Sequence, residues 1–180
     1  MASSLRSAAI ATRLAGPGDA EVMASIHAVC FARSWDDASI SQFLLAPGCL
    51  SLLAARAQGG PAEGFLIARK AEDEAEILTL AVHPDSRRLG LAHALVQAAM
   101  ARLRAAGASR LFLEVDAANA PAHALYLSFC ANEVGRRPGY YEHGADAVIF
   151  SLALSPLAAD DGSGVKRQTS VWDGKDSGTG

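Results

Sequence analysis

The sequence predicts a mixed α/β domain whose sheet is mostly antiparallel but contains one parallel pair of strands. Two observations carry this. Residues 49–57, 63–69 and 75–83 read as three strands joined by short turns, the pattern of an antiparallel run. A strand at 77–82, a helix from about Leu89 to Gly107 and a strand at 109–115 then make a crossover unit, which places its two strands parallel.

Taken in order, residues 8–14 form a first strand, and Gly16-Pro17-Gly18-Asp19 is a turn and helix start. Val22, Met23, Ile26, Val29 and Cys30 repeat with helical spacing over 20–31. A short helix from Asp36 presents Ile40, Phe43 and Leu44, and Pro47-Gly48 ends it. Gly59-Gly60-Pro61 separates the next two strands, and Glu72-Asp73-Glu74 interrupts the chain before the third. Pro84 removes a backbone donor and stops that strand. Leu91, Leu95, Ala98, Ala99 and Leu103 share the stripe of the long helix, and Gly107 suits its C-cap. Asn119 caps a further helix with Pro121 in its first turn and Leu125, Leu127 and Phe129 as apolar contacts. Residues 133–137 and 147–154 are the last strands.

At 180 residues the chain holds one domain, expected over 1–157. Residues 158–180 have too few apolar anchors to offset the entropy of ordering and are expected to be a disordered tail, with Trp172 its one large aromatic. A net charge of −3 argues against broad nucleic-acid binding, and no apolar run reaches membrane-spanning length. Cys30, Cys49 and Cys130 have neither metal spacing nor a disulfide framework, so no metal and a reducing, cytoplasmic setting are expected.

The most informative stretch is Arg87-Arg88-Leu89-Gly90-Leu91-Ala92, between a strand and a helix. Small side chains at a first helical turn let a ligand approach bare N–H groups, while the helix end and the arginines favour phosphate. The stretch lacks the lysine and hydroxyl residue of a triphosphate loop, and its glycine spacing is not that of a dinucleotide fold. A phosphate-bearing coenzyme that needs neither motif fits better.

ILTLAVHPDSRRLGLAHALV, RLFLEVDAANAPAHALY and EVGRRPGYY occur in an order that resembles the GNAT acetyltransferases, especially the branch that acetylates protein N-termini. The likeness runs from about Leu14 to Ser151. It implies flanking helices and a sheet opened between parallel strands 77–82 and 110–115, with the pantetheine arm of acetyl-coenzyme A in the opening. It also implies that Arg87, Arg88, Leu89, Gly90, Leu91 and Ala92 hold the pyrophosphate, and that Leu80, Ala81 and Val82 border the arm. A backbone N–H of Ala81 or Val82 would meet the acetyl oxygen. Asn119 contacts the coenzyme, caps its helix, or does both.

By the same resemblance Glu114 is the general base and Tyr126 the proton donor to the leaving thiolate. The residues alone also allow an exposed strand glutamate and a packed tyrosine. A free α-amine titrates near ~7.7–8.0, so a carboxylate acting through water suffices to deprotonate it. Tyr140 and Tyr141 border the substrate peptide or pack a turn; Phe31 and Trp35 wall the peptide groove or fill local core. The implied partner is a protein N-terminus, with that of ribosomal protein S18 a candidate, and no stable partner is indicated. A small amine or lysine side chain as acceptor, or a non-catalytic coenzyme-binding regulator, are the alternatives. Asp116, Ala118 and Cys130-Ala131 depart from the family's arginine, serine and glycine-phenylalanine.

Overall fold

Alternation along the strands decides which residues meet which helix. In the computed structural model, which describes residues 10–141 and 144–154, one seven-stranded sheet runs in the order β1-β2-β3-β4-β5-β7-β6. The strands are β1 (Ala11–Leu14), β2 (Cys49–Ala55), β3 (Gly64–Ala71), β4 (Glu74–Val82), β5 (Arg110–Asp116), β6 (Asn132–Arg137) and β7 (Ala147–Ala153). The helices are α1 (Ala20–Cys30), α2 (Asp37–Leu45), α3 (Leu91–Ala105) and α4 (Ala120–Leu127). The sheet is antiparallel except at β4 and β5, as expected.

Each face of the sheet has its own core. Leu52, Leu66, Leu111 and Leu113 pack with Leu91, Leu95, Val96 and Ala99 of α3 and with Tyr126 of α4. Their sequence neighbours Leu53, Phe65 and Ile67 turn to the opposite face, onto Met23 and Ile26 of α1 and Ile40 of α2. Successive strand residues therefore feed opposite layers, and burying both sets fixes the register.

The parallel pair separates early. β4 and β5 are in register only from Glu74 to Glu76 against Arg110 to Phe112. On its other edge β4 shifts register against β3 between Ile67 and Ala68, leaving Leu78 as the extra residue. A bulge bends a strand and sharpens its twist. Here it falls where β4 leaves β5, so the two strands diverge over their C-terminal halves.

Most helix signals read from sequence recur with identifiable partners. Asp36 Oδ1 accepts from Ser39 N–H at 2.8 Å, and Asn119 Oδ1 accepts from Ala122 N–H at 3.1 Å. After α3, Gly107 takes φ +88 and donates to Arg104 C=O, while Ala108 donates to Leu103 C=O, the paired bonds of a Schellman end. Two expectations need correction. The long helix starts at Leu91, two residues after Leu89, because Arg88 and Gly90 are both left-handed (φ +63 and +89). Leu127 is 57% exposed and adds little to the core, since the eight-residue α4 turns Tyr126 inward in its place. Residues 8 and 9 of the first expected strand, the tail and Trp172 lie outside the described residues.

Candidate active site

The turn between β4 and α3 is braced by a side chain from ahead of β3. Glu63, just ahead of β3, accepts from Ser86 Oγ at 2.8 Å and from Arg56 Nε at 2.7 Å. Burial opposes its ionisation, but the hydrogen bonds from Ser86 and Arg56, with the charge of Arg56, outweigh it and hold the carboxyl below its ordinary range. Pro84 to Ser86 make one 3₁₀ turn, and the left-handed residues then swing the chain into α3. Gly90 is required there twice over. Its φ is +89, and a Cβ would sit 3.1 Å from Ile10 Cδ1. Ala94 N–H closes the first helical bond on Gly90 C=O, so the N–H groups of Leu91, Ala92 and His93 have no intrahelical acceptor.

Those groups face a cleft of about 720 Å³. Leu80, Ala81 and Val82 of β4 form one wall and Asn119, Pro121, Ala122 and Leu125 at α4 form another; Arg87, Arg88, Gly90, Leu91 and Ala92 close the end, and Cys30 and Phe31 reach in from α1. Of the residues expected at the coenzyme, all but Leu89 and Tyr126 line this space. Leu89 is 49% exposed.

At the end of β4 one side of the backbone has no strand beside it in register. His83 N–H donates to Glu63 C=O at 2.8 Å, toward β3. Alternation turns the polar groups of Ala81 the same way and those of Val82 toward the gap. Val82 C=O there accepts from the Cys30 thiol at 3.3 Å and from Arg87 Nε at 3.2 Å.

The other face of the opening carries the ionisable groups. Glu114 alternates with Leu113 and Val115, which are buried under α3, so its carboxylate faces away from that core. It ion-pairs with Arg137 of β6 at 3.3 Å. The Arg137 guanidinium lies 5.6 Å from the Tyr140 ring centroid, and Tyr140 meets Tyr141 edge-on at 5.3 Å. Burial, then the negative charges of Asp116 and Glu114, raise the Tyr141 phenol above its ordinary range. Glu76 of β4 ion-pairs with Arg69 at 3.6 Å. Burial raises its carboxyl first of all, Arg69 lowers it, the charge of Glu114 raises it, and Arg137 lowers it again.

Tyr126 is only 4% exposed, and burial alone pushes its phenol far above the ordinary tyrosine range. It packs beneath the cleft rather than lining it, while its helix neighbours Ala124 and Leu125 reach the space. Phe31 and Trp35 lie in different places, and neither is shown at a peptide groove. Phe31 lines the cleft, whereas Trp35 stacks on His27 (5.0 Å) and Phe43 (4.9 Å) in the core under α1 and α2. Trp35 N–H donates to His27 Nδ1 at 3.1 Å, so the buried imidazole accepts there, and burial lowers its pKa. Asp116 caps the turn into α4 by accepting from Ala118 N–H at 2.8 Å, which accounts for an acid where the family favours arginine.

Sequence reasoning missed Arg137, Glu76, Cys30 and Ser86. Arg137 stood in the quoted EVGRRPGYY, but nothing local says which of two adjacent arginines crosses the sheet. Among the described residues no group of His, Cys, Asp and Glu is arranged to hold a metal, and no helix is long and apolar enough to span a membrane.

Comparison with known proteins supplies an independent line. The model of the acetyltransferase (GNAT) family matches residues 20–130. The [ribosomal protein bS18]-alanine N-acetyltransferase of Escherichia coli (strain K12) is 40% identical over 101 residues, 54% of this chain and 68% of that protein. The crystal structure of the ribosomal-protein-S18-alanine N-acetyltransferase from Escherichia coli superposes with a TM-score of 0.75 at 30% identity, covering 84% of this chain and 98% of that one. Arabidopsis thaliana NAA60 in complex with acetyl-CoA shares the fold, with a TM-score of 0.70 at 23% identity over 81% of this chain and 98% of that one.

Proposed function

The chain belongs to the GNAT acetyltransferase family, and from that premise we propose that it transfers an acetyl group from acetyl-coenzyme A to the α-amine of a protein N-terminus, with ribosomal protein S18 the first substrate to test. The observation that carries this reading is the cleft itself. One end offers unpaired N–H groups and two arginines to phosphate, and the middle offers the unpaired edge of β4. A slender, amide-bearing arm fits such an edge because it can pair with it as an added strand would. Chemically, the coenzyme supplies an activated acetyl thioester.

The residues divide the remaining work. Arg87, Arg88 and the first turn of α3 bind the pyrophosphate, and Asn119 orients the arm while keeping its cap. Val82, whose polar groups face the gap, is preferred over Ala81 as the backbone donor that stabilises developing negative charge on the acetyl oxygen. For the arm to use this edge, Arg87 must release Val82 C=O and turn to phosphate. Glu114 takes the proton from the incoming ammonium, directly or through water, and Tyr141 beside it borders the peptide. Tyr126 returns a proton to the departing sulfur. Its buried phenol stays protonated at neutral pH, as a donor must.

An α-amine acceptor is favoured over a lysine side chain by the proton balance. Lysine titrates near ~10.4, more than two units above an α-amine, and asks more of a single carboxylate. Mass spectrometry of an S18 N-terminal peptide incubated with protein and acetyl-coenzyme A tests the reading. The expected product gains one acetyl group on its first residue, and the same peptide with a blocked N-terminus gains none. Equal acetylation of free and blocked peptides overturns the assignment.

A further inference from the structure

Four charged side chains lie on the face of the sheet away from α3, in the order Arg69, Glu76, Glu114 and Arg137, drawn from β3, β4, β5 and β6. The two carboxylates are in the middle and the two guanidiniums at the ends. Resting on the reading of Glu114 as the base, we propose that Arg137 is a positioning residue for it, reaching across β7 to hold its carboxylate.

Register shows how an arginine on an edge strand reaches the site. Across β6, β7 and β5, Gly135, Ile149 and Glu114 form one row, and Arg137, Ala147 and Asp116 form the next. Arg137 must cross β7 to meet Glu114, and the β7 residue in its own row is the small Ala147. Gly135 keeps the neighbouring row low by having no side chain, and a Cβ there would meet Ile149 Cδ1 at 3.4 Å. The guanidinium then has the Glu114 carboxylate at 3.3 Å and the Tyr140 ring beneath it. The adjacent Arg136 is held elsewhere, on Glu133 at 2.6 and 3.0 Å.

The chemistry follows from like charges in a partly dry place. Two carboxylates close enough to feel one another resist being ionised together, so one of them takes a proton more readily. The Glu76 carboxyl is raised by burial and by the charge of Glu114. Arg137 is the direct partner of Glu114, at 3.3 Å, and fixes where its carboxylate points. The groups that face Glu114 among the described residues are Glu76 with Arg69 behind it, Arg137, Tyr141 with Tyr140 beside it, and Asp116 next on the same face of β5. Arg137 is the cation in direct contact with the carboxylate. Without it the Glu114 carboxylate loses the partner that holds it, while Glu76 stays on the same face of the sheet.

The test is the pH profile of kcat/KM with a free-amine peptide, alongside carboxyl-carbon NMR titration of the coenzyme-free protein. In Arg137→Met the acid limb and the Glu114 titration are both expected to move upward by about one pH unit, a tenfold rate loss below the limb. Arg137→Lys restores most of the shift. Adding Glu76→Gln to Arg137→Met brings the limb back down, because the competing carboxylate is gone. Arg136→Met, with its charge on another partner, leaves the limb in place, and unchanged coenzyme affinity in all variants separates the effect from misfolding. A limb and titration that stay put in Arg137→Met overturn the inference while leaving Glu114 as base. A titration that moves under a motionless limb removes Glu114 from the reaction, and the inference falls with that reading.

Discussion

The two ends of the opening are built by different means. At the coenzyme end the chemistry is backbone: N–H groups at the start of α3, the open edge of β4, and a turn set by left-handed residues within a few positions of one another. At the amine end it is side chains, brought by register from strands whose charged residues are far apart in sequence. The first can bind any ligand with the right phosphate and amide pattern. In the proposed reaction the second decides which amine reacts and at what pH, and it depends on the whole sheet being correctly paired. A substitution that breaks one end is therefore expected to spare the other.

The strongest test of that separation is Glu114→Gln. The change keeps the shape and removes the proton acceptor, so kcat/KM is expected to fall about 10²- to 10⁴-fold, the usual worth of a general base. Coenzyme affinity measured by calorimetry is expected to stay within twofold. Loss of affinity in parallel with rate would mean that the two ends are one site. Gly90→Val is the converse. It forces a β-branched residue to positive φ and drives a Cβ at Ile10. A penalty of ~2 kcal/mol on the turn corresponds to roughly thirtyfold weaker coenzyme binding. With coenzyme saturating, kcat is expected to be nearly restored, because the charged network is untouched.

The contrast also explains what could be read before the fold was known. Arg87 to Ala92 were recognisable because their chemistry is local, and the strand before them and the helix after them follow from alternation and from spacing. The antiparallel run, the parallel crossover and the caps at Asp36, Gly107 and Asn119 were legible on the same grounds. The start of α3 was not, since Arg88 at φ +63 is a non-glycine residue in a conformation that sequence reserves for glycine. The bulge at Leu78 has no glycine to mark it either, yet it coincides with the divergence of β4 from β5. The pairing of Arg137 with Glu114 could not be found locally at all. It depends on β7 lying between β5 and β6, a topological fact that no window of residues contains.

Tyr126 lies in the core at neither end, and its removal is expected to cost less. In Tyr126→Phe the departing thiolate loses its donor, but thiolates with pKa near ~8.5 are competent leaving groups, so kcat is expected to drop only about tenfold. The pH behaviour is the sharper measurement. A tyrosine at its ordinary value near ~10 would begin to lose its proton at the top of the assay range. The phenol here is raised by burial, so it stays protonated across that range. The wild-type to Tyr126→Phe rate ratio is therefore expected to be the same at pH 7 and pH 9. A ratio that collapses toward one at pH 9 would place the phenol in solvent and sever it from the cleft.

The smallest effect concerns the approach to the amine end. Cys130 follows α4 at φ +59, the conformation that Gly90 supplies without strain at the coenzyme end. Ala131 beside it is buried, so the turn that launches β6, and with it Arg137, is held by packing against its own backbone preference. Cys130→Gly relieves that strain, while the unfolded chain gains freedom that offsets part of the benefit. A net stabilisation of roughly 1 kcal/mol, or ~2–4 °C in the melting midpoint, is expected. Since Arg137 keeps its register, the acid limb of kcat/KM is expected not to move. A limb that shifts as the melting point rises would show that turn strain tunes the base, making the amine end sensitive to local backbone geometry as the coenzyme end is.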